Sequence, residues 1–184
     1  MPDVLGGVKS LTFVTSDLIF AGTTAGEVFR ARRIGSSWQT QQTDRCVVTL
    51  PIQVDPMPWV TDLKAPVTDG SEVIAVLSGF GFPHVLHGTF AMDGTATWTS
   101  ISGAGDDALP DIPVNALLID PGDVRKLYIG TDFGVYWSAD GGTSWNRLSN
   151  GLPNTGINEL VLTPSRMLLA ATDGRGVWSC QLSP

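Results

Sequence analysis

Cysteine, long apolar runs, basic clusters and helical periodicity are all scarce in this chain, and each scarcity narrows the choice. There are two cysteines, Cys46 and Cys180, too few for a disulfide scaffold. They read as two buried or partly buried thiols, with pairing between them left open. No apolar run approaches the ~20 residues that cross a bilayer as a helix. The start, Met1-Pro2-Asp3-Val4-Leu5-Gly6-Gly7, has neither the basic region nor the apolar core of a signal peptide. As written the sequence is expected in the cytoplasm, or outside the cell if it is a fragment. Eleven Lys and Arg face 18 Asp and Glu for a net charge of −7, and only Arg30, Arg32 and Arg33 cluster. Nucleic acid and membrane surfaces are therefore not expected as partners. No segment sustains a 3.6-residue period over the ~11 residues that would mark an amphipathic helix.

What is present suits many short strands joined by tight turns: 21 Gly, 12 Pro and 42% hydrophobic residues in 184, enough for one domain. One unit recurs four times. It opens with aliphatic-x-x-Leu-x-apolar: Val8…Leu11…Phe13, Val60…Leu63…Ala65, Val114…Leu117…Ile119 and Ile157…Leu160…Leu162. A second apolar run ending in small residues follows each time, then a Gly-bearing loop and a third run such as Gly134-Val135-Tyr136-Trp137. The starts lie 52, 54 and 43 residues apart, spacings that fit four-stranded propeller blades. The expected fold is an all-β propeller forming one domain, with blades at 8–44, 58–102, 112–149 and 156–184. The last blade is incomplete because the chain ends where its outer strand would follow. Arg45-Cys46-Val47-Val48-Thr49-Leu50-Pro51-Ile52 has strong β character between the first two units, as an extra edge strand or part of an insertion.

The third unit carries Ser138-Ala139-Asp140-Gly141-Gly142-Thr143-Ser144-Trp145. This is a hairpin in which Asp140 can fold back onto turn N–H groups while Gly141 and Gly142 supply positive φ. Ser138 and Ser144 stand opposite each other, and Trp145 drops an indole between sheets. Unit two keeps Asp93 and Thr97-Trp98, and unit one keeps Gly35-Ser36-Ser37-Trp38 with Arg33 where the Asp would be. Decay of this kind suits a structural turn rather than a catalytic motif.

The eight-residue stretch resembles the Asp-box of sialidase-type (BNR repeat) β-propellers. The closing stretch Gly151-Leu152-Pro153-Asn154, Ile157-Asn158-Glu159-Leu160 and Thr172-Asp173-Gly174-Arg175-Gly176-Val177-Trp178 is similar to the last blade of sortilin-like and xyloglucanase-like propellers and of the photosystem II assembly propeller. The resemblance implies that Ser138, Asp140, Gly142, Ser144 and Trp145 are structural, and that any ligand lies on the face opposite these turns. Relatives carry more blades, so the chain reads as the C-terminal part of such a propeller.

On that opposite face the candidates are Phe80, Asp132, Phe133, Asp173 and Arg175, with His84 and the linker acids Asp106, Asp107 and Asp111 nearby in sequence. Carboxylates, a guanidinium and exposed rings on one rim would suit a carbohydrate or a peptide. A sialidase mechanism would need three arginines and a Tyr–Glu pair, but Tyr128 and Tyr136 fall within strands. No catalytic residue is assigned. The function expected is a non-catalytic binding module. The alternative is a glycoside hydrolase using top-face aspartates as an acid/base pair. His84 and His87, three apart on a presumed strand, point to opposite faces, so no metal is expected, and no cofactor. The apolar flanks of the first and last blades are expected to meet in a two-fold homodimer that closes an eight-bladed ring, the alternative being a self-closed four-bladed monomer.

Overall fold

Every innermost strand begins with a requirement that a flat strand cannot meet. Side chains three residues apart point to opposite faces of a regular strand, yet Val60 and Leu63 lie in one buried cluster, Val114 and Leu117 in a second, and Ile157 and Leu160 in a third. A β-bulge resolves the conflict, since one extra residue puts both side chains on the same face. The computed structural model, which describes residues 6–42, 58–91, 95–148 and 151–182, has this irregularity in all four blades. It lies between Val8 and Ser10, Val60 and Asp62, Val114 and Ala116, and Ile157 and Glu159.

The chain is nearly all β and forms four β-propeller blades. Blade one comprises β1 (Val8–Thr15), β2 (Leu18–Thr23), β3 (Val28–Ile34) and β4 (Ser37–Gln42). Blade two comprises β5 (Val60–Lys64), β6 (Glu72–Leu77), β7 (Val85–Phe90) and β8 (Ala96–Ser100). Blade three has β9 (Val114–Asp120), β10 (Asp123–Thr131), β11 (Gly134–Ser138) and β12 (Asn146–Leu148); blade four has β13 (Ile157–Leu162), β14 (Met167–Thr172) and β15 (Val177–Gln181). Each sheet is an antiparallel meander in chain order, four-stranded in the first three blades and three-stranded in the last. The 45–52 segment and the Asp93 turn lie outside the described residues.

Neighbouring blades meet through a repeated joint. The second and third strands of one blade offer a trio that receives the innermost strand of the next. Phe20, Gly22 and Val28 receive Val60 and Leu63; Ile74, Val76 and Val85 receive Val114 and Leu117; Tyr128, Gly130 and Val135 receive Ile157 and Leu160. Close approach is needed where the trio holds glycine. A Cβ on Gly22 would come within 2.4 Å of Val60, and one on Gly130 within 2.6 Å of Ile157. Polar groups cross the joints too. Ser10 Oγ donates to Val60 O at 2.8 Å, Thr61 Oγ1 donates to Val114 O at 2.6 Å, and Asp62 Oδ2 accepts from the Leu117 N–H at 2.9 Å. Buried Asp120 pairs with Arg166 at 2.7 Å, tying blade three to blade four. The guanidinium hydrogen bond, outweighing burial, holds the Asp120 carboxyl below its ordinary range.

If the joints carry the stability of the fold, Leu117→Ala should cost about 2–5 kcal/mol, the usual range for truncating a buried leucine. Urea unfolding followed by circular dichroism reads this directly, and a loss below about 1 kcal/mol would contradict it.

Candidate functional site

A backbone clamp of one kind defines a face of the molecule in every blade. The first residue beyond each second strand donates its N–H to the carbonyl of the residue just before an innermost strand. The pairs are Thr24 to Gly7 at 2.9 Å, Ser78 to Trp59 at 3.1 Å, Asp132 to Pro113 at 3.2 Å and Asp173 to Gly156 at 2.8 Å. The loops between second and third strands and the entries from the preceding blade thus share one rim around the axis. The turns between third and fourth strands fall on the opposite face, where the Gly141 N–H donates to Arg125 O at 2.9 Å.

All five residues singled out in the sequence sit in loops of that rim, and each is solvent-exposed. Phe80 and Phe133 are 61% and 51% exposed, a large share for aromatic rings. Asp132 accepts from the Asn115 side chain at 2.8 Å. Beside Asp173, the Thr155 hydroxyl donates to its main-chain carbonyl at 3.0 Å, and the Trp178 indole N–H donates to Arg175 O at 3.1 Å. Among the described residues no ion pair involves Arg175, and no hydrogen bond or ion pair links the five to one another.

The structure brings other groups together. Asp111, in the linker between blades two and three, accepts from His84 Nε2 at 2.9 Å and from the Gly81 N–H at 2.8 Å. A carboxylate cannot donate, so Nε2 carries the proton. Burial, the largest influence, pushes His84 below its ordinary range, and Asp111 pulls the other way. This clip fixes the loop that displays Phe80. His87 instead meets Glu72 at 2.9 Å. The sequence reading missed Trp59 and Lys9. Trp59 is exposed at the entry to blade two, and the Lys9 ammonium lies 5.5 Å from its ring centroid. The signal was available, because Trp59 occupies the residue before a repeat start, as Gly7, Pro113 and Gly156 do.

The 138–145 hairpin is knit internally and to blade two. Asp140 accepts from the Ser138 hydroxyl at 2.7 Å, the Ser144 N–H at 3.0 Å and the Ser144 hydroxyl at 2.7 Å. The Gly142 N–H goes instead to Ser138 Oγ at 2.8 Å. Trp145 is buried in the blade two–three joint and donates its indole N–H to Ile101 O at 2.9 Å. The corresponding Trp98 is half-buried and Trp38 is exposed, so the intersheet tryptophan is not common to all blades.

A hollow of about 420 Å³ lies away from the rim, between blades one and two on the side of these hairpins. Its cations are already engaged. Arg30 donates to Gly70 O at 3.2 Å and lies 5.0 Å from the Phe90 ring, and Arg32 donates to Asp69 O at 3.5 Å.

The Ser144 hydroxyl, then its N–H and the Ser138 hydroxyl, hold Asp140 down to about 2. An unfolded Asp titrates near 3.9. Its contribution is therefore complete above about pH 5 and is lost as pH falls towards 2. Asp140→Ala should lower Tm by about 2–4 °C at neutral pH, and calorimetry should show the gap to the parent narrowing below pH 4. A gap that does not depend on pH would contradict this role.

No family model matches the chain, and no curated protein does. Solved structures do resemble it. The extracellular domain of a one-component system from B. thetaiotaomicron has a TM-score of 0.62 at 18% identity, covering 94% of this chain and 21% of that one. YCF48 bound to D1 peptide gives 0.63 at 17% identity, covering 97% of this chain and 52% of that one. The GH74 xyloglucanase from Xanthomonas campestris gives 0.64 at 13% identity, covering 95% and 29% respectively. The chain thus spans about half or less of these neighbours, which include both an enzyme and a peptide-bound protein. At such identities the likeness establishes the fold alone, and that fold is the β-propeller.

Proposed function

We propose that the chain is a non-catalytic binding module that takes an extended carbohydrate or peptide on the rim displaying Trp59, Phe80, Phe133, Asp132, Asp173 and Arg175. The observation that carries this reading is the exposure of three aromatic side chains on rim segments held by backbone clamps and the His84–Asp111 clip. Rings presented on fixed loops lose little entropy when a sugar ring or a peptide side chain stacks on them. The hairpins on the opposite face, which we read as Asp-box turns, hold blade three together. The xyloglucanase and the peptide-bound YCF48 among the fold neighbours supply the two ligand classes to test first.

The enzyme reading is weaker on a specific point. A glycosidase needs one carboxyl enclosed by apolar surroundings to serve as general acid. Asp106, Asp107, Asp111, Asp132 and Asp173 are all exposed. Asp111 and Asp132 are further occupied as hydrogen-bond acceptors.

A glycan array containing xyloglucan oligosaccharides, a peptide array and a panel of chromogenic glycosides test the proposal together. Binding without turnover is expected, and Phe133→Ala and Trp59→Ala should each weaken it at least about tenfold, the equivalent of ~1.4 kcal/mol. Glycoside turnover would overturn the reading in favour of a hydrolase. Binding untouched by both substitutions would move the site off the rim.

A further inference from the structure

We infer that the chain closes its ring with a second copy of itself, the last blade of each copy docking on the first blade of the other. The argument rests on the joint, independently of any ligand. Inside the chain the aliphatic-x-x-Leu-x-apolar trio of an innermost strand is covered by the preceding blade three times over. The same trio in blade one is bare: Val8, Leu11 and Phe13 are 64%, 50% and 68% exposed.

The receiving half is partly open in blade four, where Val177 is exposed and Leu169 and Ala171 are half-buried. Cross-strand register places Leu169, Ala171 and Val177 where blades one to three have Phe20, Gly22, Val28 and their counterparts. Ala171 faces Val177 as Gly22 faces Val28, Val76 faces Val85 and Gly130 faces Val135. Val177 is 69% exposed, whereas its three counterparts are buried. The polar part of the joint is present as well. Glu159 pairs with Ala171 in the register position that Asp62 holds opposite Val76, and Asp62 reaches across its joint to the Leu117 N–H. Glu159 is thereby placed to accept from the Leu11 N–H of the second copy.

These two halves do not satisfy each other within one chain. β1 packs on β5, β5 on β9 and β9 on β13, but among the described residues no comparable packing joins β13 to β1. Surfaces that differ but complement each other build either a ring or an open fibre. Two chains of four blades make eight, within the roughly 4–8 blades of closed propellers, and a third chain would exceed that range. A two-fold pair makes the joint twice. Each copy then contributes both halves of the joint to the pair.

Sedimentation equilibrium at micromolar concentration tests the inference, and the expected mass is twice the 19.5 kDa of the chain. Phe13→Asp and Val177→Asp change opposite halves of the joint, so each alone should weaken the pair at least ~100-fold by burying an unpaired carboxylate. Mixing the two variants should restore a heterodimer through the one joint that remains intact. Circular dichroism confirms folding, and Leu11→Glu with Leu169→Glu replace any variant that fails to fold. A single-chain mass for the parent would overturn the inference. So would a dimer sensitive to only one of the two substitutions, because that marks contact between like flanks.

Discussion

The β-bulge at the head of each innermost strand is the constraint on which the rest of the architecture depends. Without it, the first aliphatic residue of the repeat and the leucine three positions later would face opposite sides of the sheet. One of them would then leave the joint with the preceding blade. The bulged residues Lys9, Thr61, Asn115 and Asn158 lie at the rim end of their strands, where the backbone clamps also fall. A single local irregularity therefore sets both the packing between blades and the placement of the loops that form the rim.

Stability and display are assigned to opposite faces. The 138–145 hairpin spends its polar groups on itself and its indole on the neighbouring blade. The rim spends backbone groups on holding its loops and leaves Trp59, Phe80 and Phe133 in solvent. This division explains how the hairpin sequence can erode from blade to blade. In blade one the turn retains Gly35 at φ 63°, and Trp38 lies outside the three joints within the chain.

Most of the fold was legible in the sequence, because period-two apolar runs, glycine loops and a unit repeated at intervals of 43–54 residues are local signals. The odd spacing between Val60 and Leu63 was visible, but its cause was not, since a bulge appears only in the pairing of two strands. The His84–Asp111 clip was hidden because 27 residues separate its partners, and neither belongs to the repeat. Phe80, Asp132, Phe133, Asp173 and Arg175 were placed on the rim from their loop positions, but contacts such as Asn115 to Asp132 depend on where the bulge aims a side chain. Trp98 and Trp38 show the limit of reading by analogy between units, for equivalent tryptophans occupy unequal environments.

The glycines at Gly22 and Gly130 and the valine at Val76 occupy one position of the joint, yet they leave very different room opposite. Gly22 and Gly130 admit the branched side chains of Val60 and Ile157 almost to the backbone, while Val76 fills that space itself beside Val114. The two glycine joints are thus deeper than the valine joint. Repeat arrays are prone to trapping when one unit pairs with the wrong partner during folding. Ile157, which reaches almost to the backbone at Gly130, would clash at Val76, so the size of one side chain disfavours that mispairing.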